Sequence, residues 1–191
     1  MHAWWGLNPF FKDFCDRLAK EGFIALAPDL YDGATASTVA EAKRLRAKLK
    51  KETVTKEIIA AAEHFRALCG AGKRGIGVSG FSLGGYWALW LAEQKPNLVA
   101  ATVAFCATRN GDYAKSQSAF QFHHAGSDDY VATSGVKKLV KNLHAAGKDA
   151  EFHSYPGTTH WFFERDCADA YNAPAAQLAW KRTIAFLRKH T

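Results

Sequence analysis

The chain has 191 residues, 48% of them hydrophobic, enough for one domain, residues 1–191, with a substantial core. No apolar run approaches the roughly 18 residues that span a bilayer, and the amino end lacks the basic start and apolar core of a signal peptide, so no membrane partner is expected. The formal charge of +7 draws heavily on KRLRAKLKKETVTK, residues 43–56, whose helical spacing turns Ala42, Leu45 and Leu49 inward and the cations outward. Without aromatic stacking residues this reads as a solvated face, and no nucleic-acid partner is expected.

Apolar runs and helical patterns then alternate from end to end without repeats or a linker, the pattern of an α/β fold with a mostly parallel sheet and helices on both faces. The chain opens on MHAWWGLNPFF, aromatic where most chains are polar. Asn8-Pro9 predicts the cap and first turn of a helix whose face carries Phe11, Phe14 and Leu18 and which stops at Gly22. FIALA, residues 23–27, predicts the first strand, closed by Pro28. Thr38 and Glu41 have capping-box spacing for the basic helix, and a second helix covers about 53–69. A strand over about 75–79, a helix over about 83–94 and a strand over 98–105 follow. Strands over 119–125 and 150–155 flank a helix over 133–146, and a helix over about 174–189 buries Trp180, Ile184 and Leu187.

Cys15, Cys69, Cys106 and Cys167 form no C-x-x-C pair and read as buried free thiols, which suits a reducing compartment and a cytoplasmic protein.

In open parallel sheets chemistry gathers beyond the carboxyl ends of the strands. Gly80-Phe81-Ser82-Leu83-Gly84 is a G-x-S-x-G between a predicted strand and a predicted helix, the pattern of a nucleophile elbow. Small residues flank the serine because the turn is sharp, and the Leu83 N–H faces the place where an oxyanion would develop. A base and an orienting acid should follow on later strand-end loops. His160, in the Gly/Thr loop after the last strand, is the base; His153 lies within a strand, and His123 and His124 precede their loop. Asp128 and Asp129 both qualify as the acid. A metal set of His123, His124, Asp128 and His160 has no short ligand motif behind it, so neither a metal nor an organic cofactor is expected.

With these loops in place, the whole chain resembles the dienelactone hydrolase family of α/β-hydrolases. HAWWGLN resembles the family's H/Q-E-x-x-G-x-N segment, APDLY the loop after its next strand, GFSLGG its G-x-C-x-G-G elbow and YPGTTHWFFE its histidine loop. In related sequences the acid stands three residues before a valine, which selects Asp128, three before Val131. The opening segment supplies a second oxyanion donor in the family, here the Trp4 N–H.

Two departures bear on the substrate. Ser82 stands in place of the cysteine of dienelactone-cleaving members, and Ala3 in place of the glutamate that manages the thiol's proton; a serine served by a histidine base needs no such glutamate. Glu164 stands where those members carry an arginine for the substrate carboxylate, with Arg165 beside it. The expectation is a serine hydrolase for small carboxylic esters or lactones. Trp5, Tyr31, Phe81, Trp161 and Phe162 are expected to line an aromatic pocket without a lid domain, in a monomer or weak dimer. A non-catalytic binding protein, or an acyltransferase or perhydrolase with the same triad, is the alternative.

The resemblance also gives the opening stretch a meaning. In relatives this segment follows a central strand lying between the FIALA strand and the strand that leads to the nucleophile. Either the natural product extends upstream of Met1, or the strand of 23–27 pairs directly with that of 75–79.

Overall fold

The computed structural model describes residues 1–70 and 75–191. Helix α1, Pro9–Lys20, starts where the Asn8 side chain accepts the Phe11 N–H and Pro9 occupies the first turn. Thr38 and Glu41 cap α2, Val39–Lys48, by reciprocal hydrogen bonds. The backbone extends at Leu49 and Lys50, so the basic run is divided between α2 and α3, Lys51–Cys69, which ends on left-handed Gly70. The remaining elements are β1 Ile76–Phe81, α4 Leu83–Gln94, β2 Val99–Phe105, β3 Ala119–Ala125, α5 Thr133–Ala145, β4 Ala150–Tyr155 and α6 Ala173–His190.

The four strands form one parallel sheet in the order β1-β2-β3-β4. β3 is buried along its whole length and β2 nearly so, as a parallel sheet covered on both faces requires. One face packs on α3, α4 and α5 through residues such as Ile58, Leu89, Phe122 and Leu143. The other packs on α1 and α6 through Phe10, Phe14, Phe105 and Phe186. On this second face a row of rings crosses all four strands in register, from Phe81 to Phe105, His123 and His153. Their centroids are 4.4, 4.6 and 5.5 Å apart, and the planes tilt by no more than 26°. The His123 ring is satisfied in this interior by Tyr155 Oη at 2.7 Å, Gln121 Oε1 at 2.9 Å and Thr183 Oγ1 at 3.0 Å.

Two expectations need correction. Of the cysteines, all four are free but only Cys106 is buried; the others are half-buried. Residues 23–27 form no strand, nor do they pair with β1. Phe23 N–H bonds back to Leu18 as part of the α1 exit, and the backbone groups of residues 24–28 make no hydrogen bond among the described residues. Ile24 and Leu26 are left 63% and 41% exposed, although both belong to the apolar run that predicted a buried strand.

The reason is a gap. A cavity of about 320 Å³ separates residues 22–28 from residues 75–79, with Ile58 and Phe65 beneath it. Met1 closes one end: its ammonium donates to the Ser79 carbonyl at 2.5 Å, and its carbonyl accepts the Phe81 N–H at 3.3 Å. This is one rung of a parallel ladder on the outer edge of β1. Beyond it the outer edge makes no further backbone hydrogen bond among the described residues, and the ammonium sits desolvated, its pKa lowered to about 6 by burial.

Residues added ahead of Met1 and able to run along β1 as a strand should fill this slot and raise the thermal midpoint. Comparing melts with and without such an extension measures this, and an unchanged midpoint would show that the slot does not accept a strand.

His2 makes a second testable point. It is 1% exposed, accepts the Leu30 N–H at Nε2 at 3.0 Å and has Nδ1 2.6 Å from the Ala3 carbonyl, an arrangement only the neutral ring satisfies. Burial lowers its pKa to about 4 from the usual 6.5. Its contribution is therefore complete above pH 6.5 and lost as pH falls toward 4, on the order of 3 kcal/mol by linkage. Urea denaturation of wild type and His2→Asn should show a stability difference that shrinks across this window.

Candidate active site

β1 delivers Ser82 into the turn that begins α4. Ser82 has φ +49° and ψ −108°, a region L residues rarely occupy. The turn is held by the Ser82 N–H to the Phe105 carbonyl at 2.8 Å and by the Tyr86 N–H to the Ser82 carbonyl at 3.0 Å. A Cβ at Gly80 would collide with the Gly84 carbonyl, and one at Gly84 with the carbonyls of Met1 and His2. The glycines of the motif thus let the strand meet the helix, and let the opening segment lie against the helix start.

β3 and β4 lie in register beside this edge, and their loops bring the other two groups to Ser82. His160 Nε2 is 2.9 Å from Ser82 Oγ. His160 Nδ1 is 2.8 Å from both carboxylate oxygens of Asp128. Asp128 Oδ1 also accepts the N–H groups of Tyr130 and Val131, each at 2.9 Å. The Asp128 side chain is fully buried; burial alone would raise its pKa, but these hydrogen bonds and His160 outweigh it and hold the carboxyl below its usual range. Asp129 makes none of these contacts.

The chain Ser–His–Asp runs through hydrogen bonds across three strand ends, and it can pass a proton from a hydroxyl to an imidazole whose tautomer a carboxylate sets. Leu83 N–H, at the first position of α4, and Trp4 N–H have no hydrogen-bond partner among the described residues. A free donor at a helix start is suited to a developing negative charge.

The expected aromatic lining is placed differently. Phe81 and Phe162 are 2% and 0% exposed within the core, where the phenylalanine rings pack on one another. Tyr31 packs against His2 on the other face. These side chains were expected at the pocket because they follow strand ends, but a strand-end side chain can equally point into the sheet's packing layer. Trp161, half-buried, does stand beside His160, 5.4 Å between centroids. Trp5 lies against it, 5.5 Å between centroids, and two further aromatic rings join them there. Tyr130 lies 4.9 Å from His160 and 5.1 Å from Trp161, and Trp4 lies 5.5 Å from Tyr130. Tyr130 is 49% exposed. Its place two residues after the acid was the one sequence signal for it.

The positions that follow His160 carry no cation into the site. Glu164 is 3% exposed and burial pushes its pKa well up, which disfavours the charged carboxylate at this position. Arg165 points away, 2.7 Å from Asp13. The histidine set considered for a metal is divided, because His123 turns to the α6 face while His124, Asp128 and His160 face the loops. Among the described residues, no helix is long and apolar enough to cross a membrane.

Known proteins agree with this architecture. The model of the dienelactone hydrolase family matches residues 1–191. Protein usf of Aquifex pyrophilus is 32% identical over all of this chain and 86% of its own length. A Bradyrhizobium protein named "Probable 2-oxo-3-(5-oxofuran-2-ylidene)propanoate lactonase" is 29% identical over all of this chain and 82% of its own. A dienelactone hydrolase-like promiscuous phosphotriesterase from metagenomic libraries superposes with a TM-score of 0.85 at 22% identity, over 99% of this chain and 84% of that one. With strands, elbow and loops in the order that family shares, the chain belongs to the dienelactone hydrolase family.

Proposed function

We propose that the protein is a serine hydrolase that cleaves carboxylic esters or lactones of small substrates through an acyl-enzyme. The observation that carries this reading is the continuous hydrogen-bonded chain from Ser82 Oγ through His160 to Asp128, with the serine held in a left-handed turn.

In the first half-reaction His160 Nε2 takes the Ser82 proton as Oγ adds to the substrate carbonyl. Leu83 and Trp4 N–H groups receive the oxyanion, and Asp128 stabilises the imidazolium. Collapse breaks the carbon–oxygen bond, and His160 returns the proton to the leaving alkoxide; from a lactone, that alcohol stays tethered to the acyl group. Water, deprotonated by the same imidazole, then adds to the acyl-enzyme and releases the acid and Ser82.

The aromatic wall of Trp4, Tyr130 and Trp161 favours flat or apolar groups next to the scissile bond. With Glu164 buried and Arg165 paired to Asp13, neither position offers a counter-charge to a substrate carboxylate, which favours neutral esters and lactones over anionic dienelactones.

Mixing the protein with p-nitrophenyl acetate should release a burst of p-nitrophenol, and a fluorophosphonate should label Ser82. Both signals should vanish in Ser82→Ala; hydrolysis surviving that change would refute the assignment. Removing the exposed wall with Tyr130→Ala should raise KM for aryl esters roughly threefold to tenfold and leave small alkyl esters nearly unaffected. An equal loss for both classes would show that Tyr130 supports His160 instead of contacting substrate.

A further inference from the structure

His124, adjacent in sequence to the core histidine, has no part in the triad, yet it lies behind the triad's acid. The Asp128 carboxylate is served unevenly. Oδ1 accepts two backbone N–H groups in addition to His160, whereas Oδ2 faces His160 Nδ1 without a backbone donor, and the Cys106 thiol also lies within hydrogen-bonding reach of the carboxylate. On the far side of Oδ2, 3.9 Å away, stands His124 Nδ1. His124 is 1% exposed, and its Nδ1 is buried without a hydrogen-bond partner. An orphaned ring nitrogen and an under-served carboxylate oxygen therefore face each other in a site that excludes water.

The tautomer follows from the other nitrogen. His124 Nε2 is 3.0 Å from Thr133 Oγ1, at the first residue of α5. The Thr133 hydroxyl can donate to Nε2, which puts the ring proton on Nδ1, directed at Oδ2. The opposite tautomer would set a nitrogen lone pair against a carboxylate oxygen and leave Nδ1 without a partner. Burial lowers the His124 pKa, so the ring meets Asp128 as a neutral donor.

We propose that His124 is a positioning residue for the catalytic acid, directing Nδ1–H at Asp128 Oδ2 across 3.9 Å and so holding the carboxylate anionic and oriented while His160 carries the proton. This rests on the triad reading above. An N–H dipole directed at Oδ2 offsets part of the carboxylate's charge, so that the imidazolium it faces is not over-stabilised and gives up its proton to the leaving group. The other titratable group against this carboxylate is Cys106, from the end of β2. Its sulfur lies within 4.8 Å of both the His124 nitrogen and a carboxylate oxygen, and burial pushes its thiol pKa well up. Glu164 is near enough to Cys106 to interact with it, and burial pushes its own pKa well up. From β3 and the loop after β4, the facing groups are His124 and His160.

The test is the pH dependence of kcat/KM for p-nitrophenyl acetate in wild type, His124→Phe and His124→Asn. Losing the donor should raise the midpoint of the acidic limb by about half a pH unit or more and lower kcat with little change in KM. Asparagine, whose amide N–H can replace Nδ1–H, should bring the midpoint back to within about 0.2 units of wild type. A role in packing alone would lower the height of the profile without moving its limb. A folded His124→Phe enzyme with an unmoved midpoint overturns the proposal. If that variant does not fold, Thr133→Val, which frees the tautomer, should move the limb in the same direction, and an unmoved limb there also overturns it. Fluorophosphonate labelling of Ser82 in wild type keeps the two readings apart: no labelling refutes the triad, whereas normal labelling with unmoved limbs refutes only the role of His124.

Discussion

The turn at Ser82 is the constraint on which the other parts of the site depend. An L residue at φ +49° costs on the order of 1–3 kcal/mol, and it persists only where neighbours over-determine it. Here β2 holds the Ser82 N–H, α4 begins at the next residue, and the space at Gly80 and Gly84 admits the helix start and the opening segment. The same glycine that permits the turn thus seats the carbonyls of Met1 and His2, and with them the free N–H of Trp4, beside the serine. Replacing Gly84 would disturb elbow and opening segment together, because one empty volume serves both.

Around that turn the polar groups are arranged by strand alternation. His123 and His124 are consecutive in β3, so their side chains enter opposite faces of the sheet. His123 joins the stacked row under α6, with every ring nitrogen satisfied by buried partners. His124 is turned toward α5 and the acid loop, where Thr133 and Asp128 are its neighbours. Burial disfavours the charged form of both, yet one supports the packing and the other faces the Asp128 carboxylate.

The sheet is less regular where the opening segment meets β1. Met1 makes one rung there, and the remaining outer edge of β1 faces a cavity across which residues 24–28 run without backbone hydrogen bonds among the described residues. FIALA has the β-branched, apolar character of a strand, but a strand exists only through a partner, and the neighbouring edge is out of reach. This is why a propensity-based reading succeeds for β2, β3 and β4, whose ladders are complete, and fails for residues 23–27.

The sequence by itself determined the α/β alternation, the capped starts of α1 and α2, the elbow at Ser82 and the loop that carries His160. Each of these rests on local chemistry: periodicity, a cap, or glycines that a sharp turn requires. It left Asp128 and Asp129 equivalent until compared with related sequences, because two adjacent carboxylates share the same local context. The tertiary structure decided which of them reaches His160, that Phe81 and Phe162 belong to the core, that Tyr130 packs against the imidazole, and that Glu164 is buried. Those outcomes depend on which groups the register of distant strands brings within a few ångströms and removes from water, and no local window of sequence contains that information.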